Sequence, residues 1–164
     1  MSIIIAGTGK AWRSLKFTAV LTGALLAASP VFAASCPANK TATDARAPEM
    51  TTGHGVTDTV LSAVDLSKEM VKLEHRHLRL RKLVIQPGGV VPWHSHGDRP
   101  AIIYIISGTI LEYASDCSVG IEHKPGDVTP EFNGVAHWWR NEGKVPVVLL
   151  SADIVHDADE QHMM

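Results

Sequence analysis

Hydrophobic residues along this chain recur at every second position in short runs, and each run is closed by Gly, Pro, Asn or Asp. The alternation predicts strands over 59–64, 77–85, 90–96, 101–106, 110–113, 119–123, 135–140 and 147–155. Pro87-Gly88, Ser107-Gly108, Pro125-Gly126 and Asn133-Gly134 supply the turns between them. The one helix-like stretch, 66–73, is too short to change the class. Many short strands at close spacing predict an all-β domain, a sandwich or small barrel, because closure removes exposed edges.

Length and charge narrow the picture. The chain has 164 residues, 45% of them hydrophobic, which predicts one domain with a real core. A formal net charge of −2 offers no basic footprint for nucleic acid. The N-terminal 1–33 reads as a signal peptide: Lys10, Arg13 and Lys16 precede an uncharged apolar stretch, and Val31-Phe32-Ala33 supplies small residues at a cleavage position. Gly23, Pro30 and several Thr and Ser disfavour a retained membrane helix. The expected location is therefore periplasmic or secreted, with a mature chain of charge −5 once those three basic residues are lost. Residues 34–57, rich in Ala, Thr, Pro and Gly, read as a flexible N-terminal arm, 58–155 as the barrel and 156–164 as an acidic tail. The two cysteines, Cys36 and Cys117, allow one disulfide outside the cytoplasm. A lipid anchor on Cys36 and a pair of free thiols are the alternatives.

The chemistry concentrates in Pro92-Trp93-His94-Ser95-His96. Side chains alternate along a strand, so His94 and His96 share a face and can hold one metal ion. His137, in its own β-rich run, is the candidate third ligand from another strand.

At these residues the sequence resembles the cupin superfamily. The first cupin motif matches at Gly88, His94, His96 and Gly108, and the second at Gly126, Gly134, His137 and Asn141. The motif's Glu falls on Ala101 and its Pro on Phe132. The resemblance implies a jelly roll of two antiparallel sheets and a three-histidine site for a divalent metal, Fe, Cu, Zn, Mn or Ni. Three neutral imidazoles would leave such a metal net dicationic and open to small anionic ligands. Asp98, Glu112 and Glu131 are candidates to replace the missing carboxylate.

Arg99, Ala101, Ile103, Phe132 and Trp139 are the expected substrate pocket. Arg99 reads either as a carboxylate clamp or as half of a solvated loop ion pair with Asp98. Trp93 and Trp138 have the opposite parity to the pocket and are expected outside the barrel or at a subunit contact, while Tyr104 is expected in core or interface packing. His75 and His77 share parity with Arg79 and Arg81, all expected to face solvent, as is His123. Two functions fit: a metal-dependent, dioxygenase-like cupin acting on a small anionic molecule, or a non-catalytic periplasmic module that binds a metal or small ligand. Either is expected as a homodimer without nucleic acid.

Overall fold

The alternation becomes eight antiparallel strands in the computed structural model, which describes residues 35–157. The expected leader over 1–33 and most of the tail over 156–164 lie outside the described residues. The strands are β1 (His54–Asp65), β2 (Arg76–Ser95), β3 (Ala101–Ser107), β4 (Ile110–Ala114), β5 (Ile121–His123), β6 (Val128–Glu131), β7 (Ala136–Arg140) and β8 (Val147–His156). They pair in the order β5-β4-β7-β2-β8-β3-β6, with β1 on the other edge of β2, and the sheet curls into a jelly-roll barrel. Residues 66–73 form turns instead of a helix. Asp65 Oδ1 accepts from Ser67 N at 3.1 Å and Ser67 Oγ at 2.6 Å, a side-chain turn that competes with helical pairing.

The stretches 77–85 and 90–96 belong to one strand, because the Pro87-Gly88 turn makes a bulge within β2 and not a break. The N-terminal half of β2 pairs with β1 and β8, and its C-terminal half with β7, so one strand serves both sides of the barrel. Gly89 allows the close approach: a Cβ there would stand 2.8 Å from the carbonyl oxygens of both Gln86 and Gly55. Buried Asn141 fastens the bulge, donating through Nδ2 to Ile85 O and Val145 O at 2.9 Å each. Its Oδ1 accepts from Gly143 N at 2.9 Å, and its backbone pairs with Gly88 and Gly89.

The inward residues of neighbouring strands line up in rungs. Ile85 with Val147, and Leu83 with Leu149 and Ile105, fill the closed end together with Val91, Ile110 and Trp139. Above them Arg81, Ser151, Ile103 and Thr129 form one rung, and Arg79, Asp153, Ala101 and Glu131 the next. Arg79 and Arg81 are therefore interior residues, 2% and 4% exposed, against the expectation of a solvent face. Their partners, Asp153 and Asp58, come from other strands.

Beyond the barrel, β1 begins at His54, and the segment before it is laced to the body. Cys36 and Cys117 form a disulfide, Ala42 N donates to Asp116 O at 3.0 Å, and Arg46 N to Ser115 O at 3.2 Å. With the Cys36 sulfur in that bond, neither a lipid thioether nor a free thiol is available there. Trp93 is half-buried and its backbone N–H donates to Met50 O at 3.0 Å. Trp138 is buried and stacks on Tyr113 at 4.2 Å, so its ring is not free for a subunit contact. The outer apolar surface lies elsewhere, on Ile102, Tyr104 and Ile106 of β3 and Val128 of β6, all exposed. No helix among the described residues is long and apolar enough to cross a membrane.

Because buried Asn141 takes up two backbone carbonyls and one amide, Asn141→Ala is expected to cost about 2–3 kcal/mol. Urea denaturation checks this as a lower midpoint with an unchanged slope.

Candidate metal centre

Sequence spacing and register bring four side chains to one point. His94 ends the inward row of β2, His96 follows the strand, His137 sits opposite His94 in the β2–β7 register, and Glu131 ends β6. One ligand atom from each lies within 4.8 Å of all the others, and every residue except His94 is buried. His94 Nε2 and His137 Nε2 are 3.2 Å apart, and His137 Nε2 is 3.4 Å from Glu131 Oε1.

The tautomers follow from what each Nδ1 touches. His94 Nδ1 donates to Pro92 O at 2.8 Å and His96 Nδ1 to Arg99 O at 2.7 Å; a carbonyl can only accept, so both nitrogens carry the proton. His137 Nδ1 donates to Glu112 Oε1 at 2.6 Å. Burial pushes Glu112 up, but hydrogen bonds from His123 and His137 outweigh it and bring its pKa down to about 2, so it accepts as a carboxylate. In its neutral form each imidazole would then present a bare Nε2 to the same space. His96 Nε2 lies 2.8 Å from Glu131 Oε2, yet the alignment is not that of a hydrogen bond. With every Nδ1 already spoken for, His94, His96, His137 and Glu131 make a set of ligand atoms that could hold a cation.

Charges around the cluster act in opposite directions. Burial, reinforced by His137, holds His94 well below the ordinary imidazole value. Burial also lowers His137, but Glu131 and Glu112 outweigh it and the net direction is up. Behind His137, Glu112 Oε2 accepts from His123 Nε2 at 2.8 Å. His123 is fully buried and stacks on Trp139 at 4.6 Å, correcting the expectation of an exposed turn residue.

Glu131 is the carboxylate that replaces the motif's Glu. It pairs directly with Ala101 across the β3–β6 ladder, so the acid has moved one strand sideways within the same rung. Of the other candidates, Glu112 holds the back of His137, and exposed Asp98 pairs with Arg76 at 4.0 Å. With Glu131 included, a divalent ion would carry net +1, not the +2 expected of three histidines alone.

Two cavities meet at the cluster. A chamber of about 30 Å³ is lined by His94, His96, Glu131, Arg81, Arg99 and Ser151, with Leu83, Val91, Ile103, Leu149 and Trp139 as apolar walls. A larger one, about 400 Å³, reaches Glu131 and His137 from the other side, past Glu112, Phe132 and Cys36. The expected pocket residues therefore separate. Arg99, Ile103 and Trp139 line the inner chamber, Phe132 the outer cavity, and Ala101 is packed in the core. Arg99 turns inward toward Asp153 at 3.9 Å, which overturns its reading as a solvated partner of Asp98.

Residues 81–153 match the family model of the Cupin domain. Residues 81–153 of the barrel are a cupin domain. Over 74 residues the cupin region is 32% identical to the auxin-binding protein ABP19b of Prunus persica, spanning 43% of this chain and 35% of that relative. The match thus covers about a third of the relative's length. The fold also resembles a predicted oxalate decarboxylase from Thermotoga maritima, at TM-score 0.51 and 23% identity, covering 74% of this chain and 98% of the other. An uncharacterized conserved protein with a double-stranded β-helix domain from Klebsiella pneumoniae aligns at TM-score 0.50 and 17% identity, covering 63% and 79%. These likenesses establish the cupin fold.

The acid that anchors the upper rungs is Asp153, shared by Arg79, Arg81 and Arg99. Asp153→Ala would strand buried guanidinium charge and is expected to cost at least about 3 kcal/mol. The double variant Arg79→Met, Asp153→Leu should recover part of that loss in the same denaturation assay.

Proposed function

We propose that this cupin is an exported metalloprotein that binds one divalent ion through His94, His96, His137 and Glu131 and acts on a small anionic molecule. The observation that supports it is the convergence of three Nε2 atoms and one carboxylate, each imidazole fixed from behind by an acceptor on Nδ1. A bound ion would supply Lewis acidity there, and iron or copper would add dioxygenase-like chemistry. The chain's own residues orient the imidazoles, keep the inner chamber apolar on most of its wall, and place Arg99 beside it.

Elemental analysis of protein purified without a His tag tests the metal. One ion per chain is expected, lost in the His94→Ala, His96→Ala variant. Glu112→Gln, which weakens the acceptor behind His137, should lower zinc affinity about 10- to 100-fold. Sub-stoichiometric metal that incubation with divalent ions does not restore would overturn the reading. Metal bound tightly, with no substrate-dependent O₂ uptake or other turnover, would assign the non-catalytic binding module instead.

The same reading includes a homodimer through the outer sheet face. Ile102, Tyr104 and Ile106 adjoin Leu150 and Ala152 of β8 and Val128 of β6. The four strands from β2 to β6 make a patch about 20 Å on a side, in which Lys82 and, at its edge, Arg76, paired with Asp98, are the charged outward side chains among the described residues. Two copies of so weakly charged a face can stack without opposing like charges. Light scattering should report a dimer for the parent chain and a monomer for Tyr104→Glu; a monomeric parent would sink the interface.

A further inference from the structure

The barrel side of the cluster gathers guanidinium groups. Among the described residues three guanidiniums, Arg79, Arg81 and Arg99, meet the carboxylates of Asp58 and Asp153. Arg79 takes Asp153 in a two-pronged contact at 3.1 and 2.9 Å. Arg81 binds Asp58 and reaches Asp153 Oδ2 and Ser151 Oγ at 3.3 Å each. Arg99 is left with Asp153 Oδ2 at 3.9 Å, beyond hydrogen-bond distance. Burial and then the neighbouring Arg81 push the Arg99 pKa down, as expected of a cation placed among cations.

Several donors face the same small space. Arg81 and Arg99 line the inner chamber with Ser151, whose Oγ accepts from Arg81 and so keeps its own proton to give. Arg81 Nε is buried with no hydrogen-bond partner among the described residues. Glu131 is the one carboxylate on the chamber wall, and it also faces His96 and His137. If Glu131 serves a cation, Arg99 is left without a hydrogen-bonded anion among the described residues. The remaining walls are apolar, which strengthens any charge pairing inside. A volume of about 30 Å³ holds roughly two water-sized groups, a carboxylate but not a ring.

We propose that Arg99, with Arg81 and Ser151, forms an anion subsite for the carboxylate of a small 2-hydroxy or 2-oxo acid whose neighbouring oxygen reaches the histidine–glutamate cluster. This deepens the metalloprotein reading and rests on it for the second oxygen, whereas the carboxylate contact stands on the arginines alone. An adjacent oxygen fits because Arg99, His94, His96 and Glu131 border one chamber with room for only a few atoms between them.

Calorimetric titration of zinc-loaded protein with glycolate and with neutral glycolamide, for the parent and Arg99→Gln, tests the subsite. Glutamine keeps the residue-99 carbonyl that accepts from His96. Glycolate should bind the parent at least about tenfold more tightly than glycolamide does, and Arg99→Gln should lose about tenfold or more in glycolate affinity while retaining one zinc per chain. Arg99→Lys, which preserves charge without the planar fork, should recover part of the loss. Equal glycolate affinity in the parent and Arg99→Gln, or no glycolate binding by the zinc-loaded parent, overturns the subsite. If the chain takes up no metal, the metalloprotein reading fails separately, and formate titrated into metal-free protein decides the anion site. Formate affinity reduced about tenfold in Arg99→Gln supports it; unchanged or absent binding overturns it.

Discussion

A strand can feed two sheets only if it turns sharply between them without losing its hydrogen bonds, and in β2 that turn falls at Gln86–Gly89. The backbone groups released by the bulge are taken up by Asn141, from the far end of β7. The geometry of the candidate metal site descends from this fastening. It brings the C-terminal part of β2 onto β7, where His94 faces His137 in register, while the N-terminal part carries Arg79 and Arg81 along β8.

The interior that results is polar at its open end, which is costly unless each group is matched. Matching proceeds rung by rung. Asp153 neutralises Arg79 across one ladder, Asp58 reaches Arg81 from β1, and Glu112 takes a proton donor on each oxygen, His123 on one and His137 on the other. The same contacts that settle the desolvation cost also fix rotamers and tautomers, so the site is rigid before any ligand arrives. Arg99 is the group least well matched, and it is also the one that lines the inner chamber.

Much of this was legible from alternation alone. Parity placed His94 with His96 and put Trp139 toward the interior, and the β-rich run around His137 marked it as the partner from another strand. Parity does not say which face is inside, however, and a row of His75, His77, Arg79 and Arg81 looks like a solvent face until Asp153, 74 residues away from Arg79, is placed opposite it. His123 was misjudged for the same reason: its partner Glu112 sits on the adjacent strand and nothing local announces it. The strand β6 went unseen because four residues containing Pro130 give little period to read, although Pro is at home on the sheet edge that β6 occupies. The Val128-Thr129 pair before it was the available signal.

Missing β6 also meant missing why Ala can stand at 101. A carboxylate need not come from a given strand; it must reach a given point, and residues directly opposed in an antiparallel ladder have Cβ atoms only about 5 Å apart. Moving the acid from 101 to its partner 131 keeps it in the same rung and within reach of the same imidazoles, while Ala101 packs into the core. The change alters the surroundings more than the donor set. The acid now arrives from an edge strand, at the boundary between the small basic chamber and the larger outer cavity, and both open onto it. A sequence motif records where a ligand usually attaches to the chain, whereas the site is defined by where the ligand atoms end, and in a barrel adjacent strands can exchange the first while conserving the second.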